Sequence, residues 1–441
     1  MHPLVANVHA RAAQIAQALG PYRFYVYDGP AVDNMTTALS LPPVTARYAN
    51  VPSEDASRLS RNIFPEYTAA VWVHRALLAD PLRTLDPEQA DLFFAPAYLA
   101  ISAIQPGHSE RLAAWLEFVG GSVYYRRRLG ADHLFAASDV RDDARMELHG
   151  HGRVRALLGR GYSGTFELRA GWSGGWDVAR SIVMPYVANP FLTPGGAAPR
   201  RPRSRAAATP LAAAAPTWSA PARVGASAPG VADGVRDITL FYVAHVRALG
   251  RVEGGCNREI MTNLSGFDPS VVAKVGWQMM TQLVYARRIS RARFCPLTCG
   301  DTATSRRTFD AMAAGCIPIL VGSRLWGRCD APCRGTVAVG APHLPFEGLW
   351  MNWSHFPQLD EGFLYAQRTR DDVQRAFRAV IERASVGPTE EGLRAYLNAS
   401  RALLVYGWGD YRTSRSFGLA SRRLVESALL RRRRVRLPRI D

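Results

Sequence analysis

The chain reads as an α/β protein of two domains, each a parallel sheet wrapped by helices, and three observations carry that reading. Strand-like and helix-like segments alternate from residue 22 to about 190. They alternate again from 236 to about 430. Between the two runs, residues 191–235 are dominated by Pro, Ala, Gly, Ser and Arg, and no apolar period survives. Alternation of this kind builds crossover units, because a strand paired in parallel needs a helix to carry the chain back to the start of its neighbour. The biased stretch buries too little apolar surface to offset chain entropy, so it is expected to be a disordered insertion. At 441 residues, 48% of them hydrophobic and 21% charged, the chain is long enough for two cores.

Taken in order, the first twenty residues carry apolar positions at helical spacing, interrupted by His9, Arg11 and Gln14, and lack the apolar core of a signal peptide. RFYVYD, DLFFAP and DHLFAAS are short apolar runs of strand length. Glu66 to Leu78 and Glu110 to Val119 repeat their apolar residues at helical period. The second run starts with the strand DITLFYVA (237–244) and continues through a helix near Gly276 to Ser290, a strand from Arg293 to Leu297, and a helix from Thr302 to Ala314. Gly315 stands where a helix C-cap needs a left-handed residue, and Cys316 to Val321 form the next strand. Helical patterns at about 371–384, 389–405 and 414–431 close the chain, ahead of a basic tail at 431–441.

The formal charge of +17 and the isoelectric point near 10.1 raise an anionic partner such as nucleic acid. Composition argues against it. Of 54 basic residues only Lys274 is a lysine, a bias that runs through the whole chain. Ten of the arginines lie in Arg200 to Arg205 and Arg431 to Arg439, so setting those segments aside brings the charge down to about +7. They read as solvated arginine runs, and no nucleic-acid partner is expected. No stretch approaches the 18 to 20 apolar residues of a membrane span. The six cysteines include two C-x3-C pairs, 295/299 and 329/333, a spacing that suits neither common zinc pattern. No metal site is therefore expected. Cys295 and Cys316 fall on predicted strands, where buried thiols behave as small hydrophobes, and Cys329 with Cys333 is the candidate disulfide.

Residues 291 to 348 carry the strongest chemical signal: a short strand, a Gly-Asp turn, a helix opening Thr302-Ala-Thr304-Ser305-Arg306-Arg307, a second strand and, further on, LPFEG. Hydroxyls and arginines at a helix entrance suit an anion, since the first turn offers unpaired N–H groups and the positive end of the helix dipole. Arg307 and Asp310, three apart, share a face, while Phe309 and Met312 point to the sheet. A guanidinium is a bidentate phosphate partner and a carboxylate accepts two sugar hydroxyls. The competing reading is an Arg306 to Asp310 ion pair on a solvated helix, with Thr304 and Ser305 merely capping it.

RARFCPLTCGDTATSRRTFDAMAAGCIPILVGS and the following LPFEG resemble the signature of the exostosin-like glycosyltransferases, glycosyltransferase family 47. An upstream block is similar too, from Phe64-Pro65-Glu66-Tyr67 through LLADPLRTLDPEQADLFFAPAY. Weaker likenesses are YRFYVYD, Gly130-Ala-Asp132-His133 and DITLFYVAHVR, all in family order over residues 22 to 360. The resemblance implies a GT-B fold of two Rossmann-like domains facing across a cleft, the acceptor side at 1–190 and the donor side at 236–430, with a closing helix that crosses back to the first domain. It implies inverting transfer of a sugar from a nucleotide diphosphate, UDP in the first instance, to a cell-wall or matrix polysaccharide or a glycoprotein glycan. It further implies that Arg307 meets the donor diphosphate and Asp310 the ribose. Beside them, Thr304 and Ser305 can contact phosphate while capping the helix, Arg247 can neutralise the diphosphate, and Glu347 reads equally as a partner of the donor sugar or uracil edge and as an exposed loop carboxylate.

The acceptor proton needs a carboxylate or histidine, and the candidates are Asp132, His133, Asp139 and Glu66, with His133 equally readable as a structural histidine. With arginines and helix N–H groups on the diphosphate, no metal cofactor is expected. The resemblance also implies a Golgi membrane or lumenal location and complexes with other Golgi glycosyltransferases, although no membrane anchor is visible in the sequence. Sequons at Asn34, Asn263, Asn352 and Asn398 are compatible with that route. The alternatives are a catalytically inactive GT-B protein that binds glycan or nucleotide, and an Arg-rich nucleic-acid binder. No D-x-D or Walker A pattern is present.

Overall fold

The computed structural model describes residues 2–36, 69–102, 107–136, 162–165, 181–189, 192, 236–244, 258–264, 266–275, 280, 282–298, 306–321, 352–359, 369–386, 388–404, 417–435 and 437. Its first half contains α1 (Pro3–Leu19), β1 (Phe24–Val26), α2 (Pro30–Thr36), α3 (Ala69–Leu78), β2 (Arg83–Thr84), β3 (Leu92–Phe94), α4 (Leu99–Ser102), α5 (His108–Gly121), α6 (Val123–Arg128), β4 (His133–Ala136), β5 (Tyr162–Thr165) and β6 (Ser181–Val183). The six strands form one parallel sheet in the order β2-β1-β3-β4-β5-β6. Phe24, Phe93, Phe94 and Phe135 fill its faces, with Trp72 of α3 and Trp115 of α5 packed into the same core. Trp115 can be buried because its indole N–H donates to the Pro96 carbonyl at 2.8 Å.

The second half contains β7 (Ile238–Ala244), β8 (Val271–Val275), α7 (Gln282–Ile289), β9 (Ala292–Leu297), α8 (Arg306–Ala314), β10 (Ile317–Val321), β11 (Gln358–Leu359), α9 (Arg370–Ser385), α10 (Pro388–Leu404) and α11 (Phe417–Arg432). Its five strands are also all parallel, ordered β11-β10-β9-β7-β8. The apolar runs ITLFYVA, ARFCPL and IPILV are buried along most of their lengths, as expected of parallel strands covered on both faces. The predicted strands and helices thus recur, the strands shortened at their ends except β9, which begins one residue earlier. The 191–235 insertion lies outside the described residues apart from Leu192.

Helix α8 is the most enclosed helix of this half, with Thr308 through Ala314 all buried. Its C-terminal carbonyls meet three arginines: Arg401 Nε donates to Met312 O at 3.1 Å, Arg236 to Ala314 O at 3.1 Å, and Arg394 to Gly315 O at 3.2 Å. Cations there offset the negative end of the helix dipole and satisfy carbonyls that the helix cannot. Gly315 turns the chain at φ +69°, and a Cβ at that site would meet the Arg401 and Arg236 guanidinium groups under 3 Å away.

The ends of the chain exchange sides. Helix α1 packs against α10, while α11 packs against α3 and β6 of the first sheet. Arg422 of α11 pairs with buried Asp80 at 2.8 Å, and Tyr22 donates to Glu426 at 3.0 Å. The basic tail departs from the expected solvated run. Its first arginines finish α11, and Arg433 pairs with Asp91 at 3.0 Å and donates to the Leu19 carbonyl.

One cysteine expectation is overturned. Cys295 and Cys316 are a disulfide that joins adjacent strands β9 and β10, with Cα atoms 5.8 Å apart. Burial was read correctly from the strand pattern, but cross-strand proximity is a property of pairing that spacing in sequence does not encode. Cys329 and Cys333 lie outside the described residues. Closing a loop of 21 residues restricts the unfolded chain by about 3 kcal/mol. Cys295→Ala with Cys316→Ala should lower unfolding stability by that order in a urea titration, and both sulfurs should resist reductant until the native chain is unfolded.

Candidate functional site

In the second sheet, successive strands reverse direction of travel across the sheet between β7 and β9: β8 lies on one side of β7, and β9, β10 and β11 on the other. In open parallel sheets the crevice beyond the strand C-termini at such a switch point is where ligands bind. The residues at this crevice are Val243 near the end of β7, Thr298 just past β9, and the first turn of α8.

Arg307 is placed there by its helix. Its Nη1 donates to Val243 O at 3.3 Å, its Nη2 to Thr298 Oγ1 at 3.4 Å, and its guanidinium carbon lies 5.5 Å from the centre of the Tyr242 ring. Thr298 Oγ1 is in turn 3.0 Å from the Tyr242 hydroxyl. A half-buried cation over an aromatic face, at the positive end of a helix, forms an anion-binding arrangement.

Asp310 lies one turn deeper and is 1% exposed. Its Oδ1 accepts the backbone N–H of Asn189 at 2.7 Å, and Oδ2 lies 3.5 Å from Arg306 Nε. Burial pushes its pKa up, with Arg306 and the Asn189 N–H acting the other way. Burial, together with this carboxylate, holds the Tyr285 phenol well above its ordinary pKa. The expected Arg306 to Asp310 pair is therefore present, but α8 is an enclosed helix, and of the pair only Arg306 reaches solvent.

Asp132 and His133 occupy a different environment. They stand at the N-terminal start of β4, the end of a parallel sheet opposite to the one where ligands collect. His133 is fully buried. Its Nδ1 faces Asp132 Oδ1 at 2.9 Å and its Nε2 faces the Tyr27 hydroxyl at 2.8 Å. Phe93 stacks on the ring at 5.0 Å and Tyr125 meets it edge-on at 5.1 Å. These partners fit a neutral imidazole that donates from Nδ1 and accepts at Nε2. Burial lowers its pKa in spite of Asp132. Gly130 makes the preceding turn at φ +79°, where a Cβ would run into the Tyr125 ring. The pair therefore reads as a satisfied core unit, both side chains enclosed.

Arg247, Thr304, Ser305, Glu347, Asp139 and Glu66 lie outside the described residues. Of the sequons, Asn34 and Asn398 are exposed on helices, Asn263 is half-buried, and Asn352 uses its side chain to cap the turn at Trp353–His355. Among the described residues no cluster of His, Cys, Asp and Glu could hold a metal ion, and no helix is long and apolar enough to cross a membrane. Sequence reasoning missed Tyr242 and Thr298. Their position at the C-terminal ends of two strands flanking a switch point is the signal that could have found them.

The family model for the Exostosin GT47 domain matches residues 22–357, spanning both sheets. The chain belongs to the exostosin GT47 family. Among curated relatives of this GT47 protein, a probable glucuronoxylan glucuronosyltransferase of Arabidopsis thaliana is 30% identical over 126 residues, 26% of this chain and 23% of the relative. A probable arabinosyltransferase of the same plant is 24% identical over 268 residues, 55% and 47% of the two chains. A probable glucuronosyltransferase of Oryza sativa subsp. japonica is 34% identical over 85 residues, 18% and 20%. The alignments thus cover between about a fifth and a half of these relatives' lengths.

The core histidine and the switch-point arginine should respond differently to mutation. His133→Ala should lower stability by about 2 to 4 kcal/mol in chemical unfolding, because it opens a cavity and removes one buried hydrogen bond each from Asp132, which keeps Arg128, and Tyr27, which keeps Ser122. Arg307→Ala, at a half-buried position, should cost less than 1 kcal/mol of stability in the same measurement.

Proposed function

We propose that this GT47 chain is a glycosyltransferase that moves a sugar, with inversion, from a nucleotide diphosphate sugar, UDP-linked in the first instance, to a cell-wall or matrix polysaccharide or a glycoprotein glycan. The observation that carries the reading is Arg307, held at the switch point of the second sheet where α8 begins. In this reading the second sheet, within 236–430, takes the donor and the first, within 1–190, takes the acceptor. The two face each other in the GT-B manner, and α11 crosses back to the first domain.

In an inverting transfer an acceptor oxygen bonds to the anomeric carbon as the bond from that carbon to the phosphate oxygen breaks, and the nucleotide diphosphate leaves with the electron pair. Arg307 and the first-turn N–H groups of α8 sit where the charge of the leaving group grows, and a guanidinium there lowers the barrier without a metal ion. Asp310 would accept ribose hydroxyls, exchanging its Asn189 bond for a ligand bond. Arg247, Thr304, Ser305 and Glu347 complete the proposed donor site. The acceptor proton goes to a carboxylate of the first half of the chain, with Asp139 and Glu66 the candidates.

Relatives named as glucuronosyl- and arabinosyltransferases support a glycan acceptor and a sugar donor. The buried Cys295 to Cys316 bond supports folding in an oxidising compartment, which fits a Golgi location, modification at the sequons and association with other Golgi enzymes.

The test is a panel of UDP-sugars offered with oligosaccharide acceptors while UDP release is followed. Turnover on at least one donor and acceptor pair is expected, and it should survive EDTA. A manganese requirement that chelation abolishes and re-addition restores would overturn the metal-free mechanism, and UDP binding without turnover across the panel would point to an inactive binding protein. Arg307→Ala should weaken UDP about ten- to a hundredfold in calorimetry, the loss of a charge-assisted contact of roughly 1.5 to 3 kcal/mol.

A further inference from the structure

An arginine that must meet a diphosphate in one geometry has a rotamer problem, because its side chain gives up conformational freedom when it is fixed. If the ligand alone fixed it, that cost would come out of affinity. In this chain the fixing groups are already in place, and two of them are buried side chains outside the donor set proposed above. Tyr242 is 1% exposed and lies beneath the Arg307 guanidinium, its hydroxyl 3.0 Å from Thr298 Oγ1. Thr298 is fully buried and accepts from Arg307 Nη2 at 3.4 Å. Val243 contributes only its carbonyl, at 3.3 Å from Nη1. The guanidinium is thus supported from below by a ring and at its edge by a hydroxyl whose own direction is set by a second hydroxyl.

We propose that Thr298 and Tyr242 are positioning residues that act through Arg307, holding its guanidinium where the donor's diphosphate docks. Neither side chain reaches a ligand, since both are enclosed between β7, β9 and α8. The inference rests on the donor-site reading given above. It makes a prediction that reading alone does not: the pair should matter for phosphate recognition and be silent toward the nucleoside.

The experiment titrates UDP and uridine by calorimetry into the full chain and its Thr298→Val, Thr298→Ser, Tyr242→Phe and Arg307→Ala variants, with a melting temperature recorded for each. Thr298→Val is expected to weaken UDP about five- to tenfold, the size of one net hydrogen bond, and to leave uridine unchanged. Thr298→Ser, which keeps the hydroxyl, should restore UDP affinity, and Tyr242→Phe should lose about threefold for UDP alone. Arg307→Ala should bring UDP close to uridine. Wild-type UDP affinity in a folded Thr298→Val chain whose Arg307→Ala counterpart is impaired would overturn the proposal and spare the donor-site reading. An equal loss for UDP and uridine would reduce both residues to structural support. Should Thr298→Val not fold, the serine and phenylalanine variants decide by the same comparison. A wild-type chain that binds no UDP would sink the donor-site reading, and the positioning role with it.

Discussion

Asp310 is a carboxylate almost completely out of water, and much of the second half is arranged around that fact. Taking an ionised carboxylate into a protein interior costs several kcal/mol unless partners replace its hydration. Burial does raise its pKa, and the groups that oppose the rise are specific: Arg306 one turn earlier and the Asn189 N–H. Asn189 belongs to the buried segment that leaves β6, the last strand of the first sheet. One oxygen of a carboxylate on a helix of the second sheet is therefore satisfied by backbone from the first, and the other faces Arg306 at 3.5 Å. Once Asp310 is fixed, the orientation of α8 about its axis is fixed as well, and Arg307, displaced by three residues, has no choice but to enter the crevice between β7 and β9.

The same helix is tied at its other end. Three arginines from outside α8 converge on its last carbonyls, and Gly315 turns away at a backbone conformation that favours glycine. Polar ties of this kind contribute modestly to net stability, since each exchanges a bond to water for a bond to protein. Their stronger effect is on register. A slide of α8 along its axis would strand three guanidinium groups and a carboxylate at once, so the position of the helix entrance relative to the strand ends is narrowly defined. The exchange of α1 and α11 between the two halves acts in the same direction. Withdrawal of α11 would take Arg422 from buried Asp80 and Glu426 from the Tyr22 hydroxyl.

Much of this architecture was legible in the sequence. The apolar runs that became β1, β3, β4, β7, β9 and β10 were recognisable because central parallel strands are buried on both faces, and the helices α3, α5, α8, α9, α10 and α11 showed their period. The two-residue strands β2 and β11 were not, since an edge that short leaves no alternation to detect. Arg306 and Asp310 show why the site was only half readable: their i,i+4 spacing looks the same on a solvated helix as on an enclosed one, and burial comes from elements distant in the chain. Cys295 and Cys316 failed for a related reason. Cys295 sits on a correctly identified strand and Cys316 one residue before another, but which strands pair is decided by topology.

Asp132 and His133 teach a different lesson about where chemistry is found. A histidine beside an aspartate after a glycine turn has the composition of a catalytic pair, and nothing in the local sequence says which end of the strand it occupies. Strand direction says it. In a parallel sheet all N-terminal ends share one edge, so a residue that opens a strand lies a full strand length from the edge where helix N-termini and ligands meet. The aromatic rings of Tyr27, Phe93, Tyr125 and Phe135 around His133 then follow from its register beside Phe93, and the hydrogen bonds to Asp132 and Tyr27 are what makes a polar ring tolerable there. Donor recognition was more legible than proton removal because a phosphate site is written in one contiguous strand-turn-helix segment. An acceptor-side base depends on the segments that follow several separate strands, and their convergence is set by the sheet as a whole.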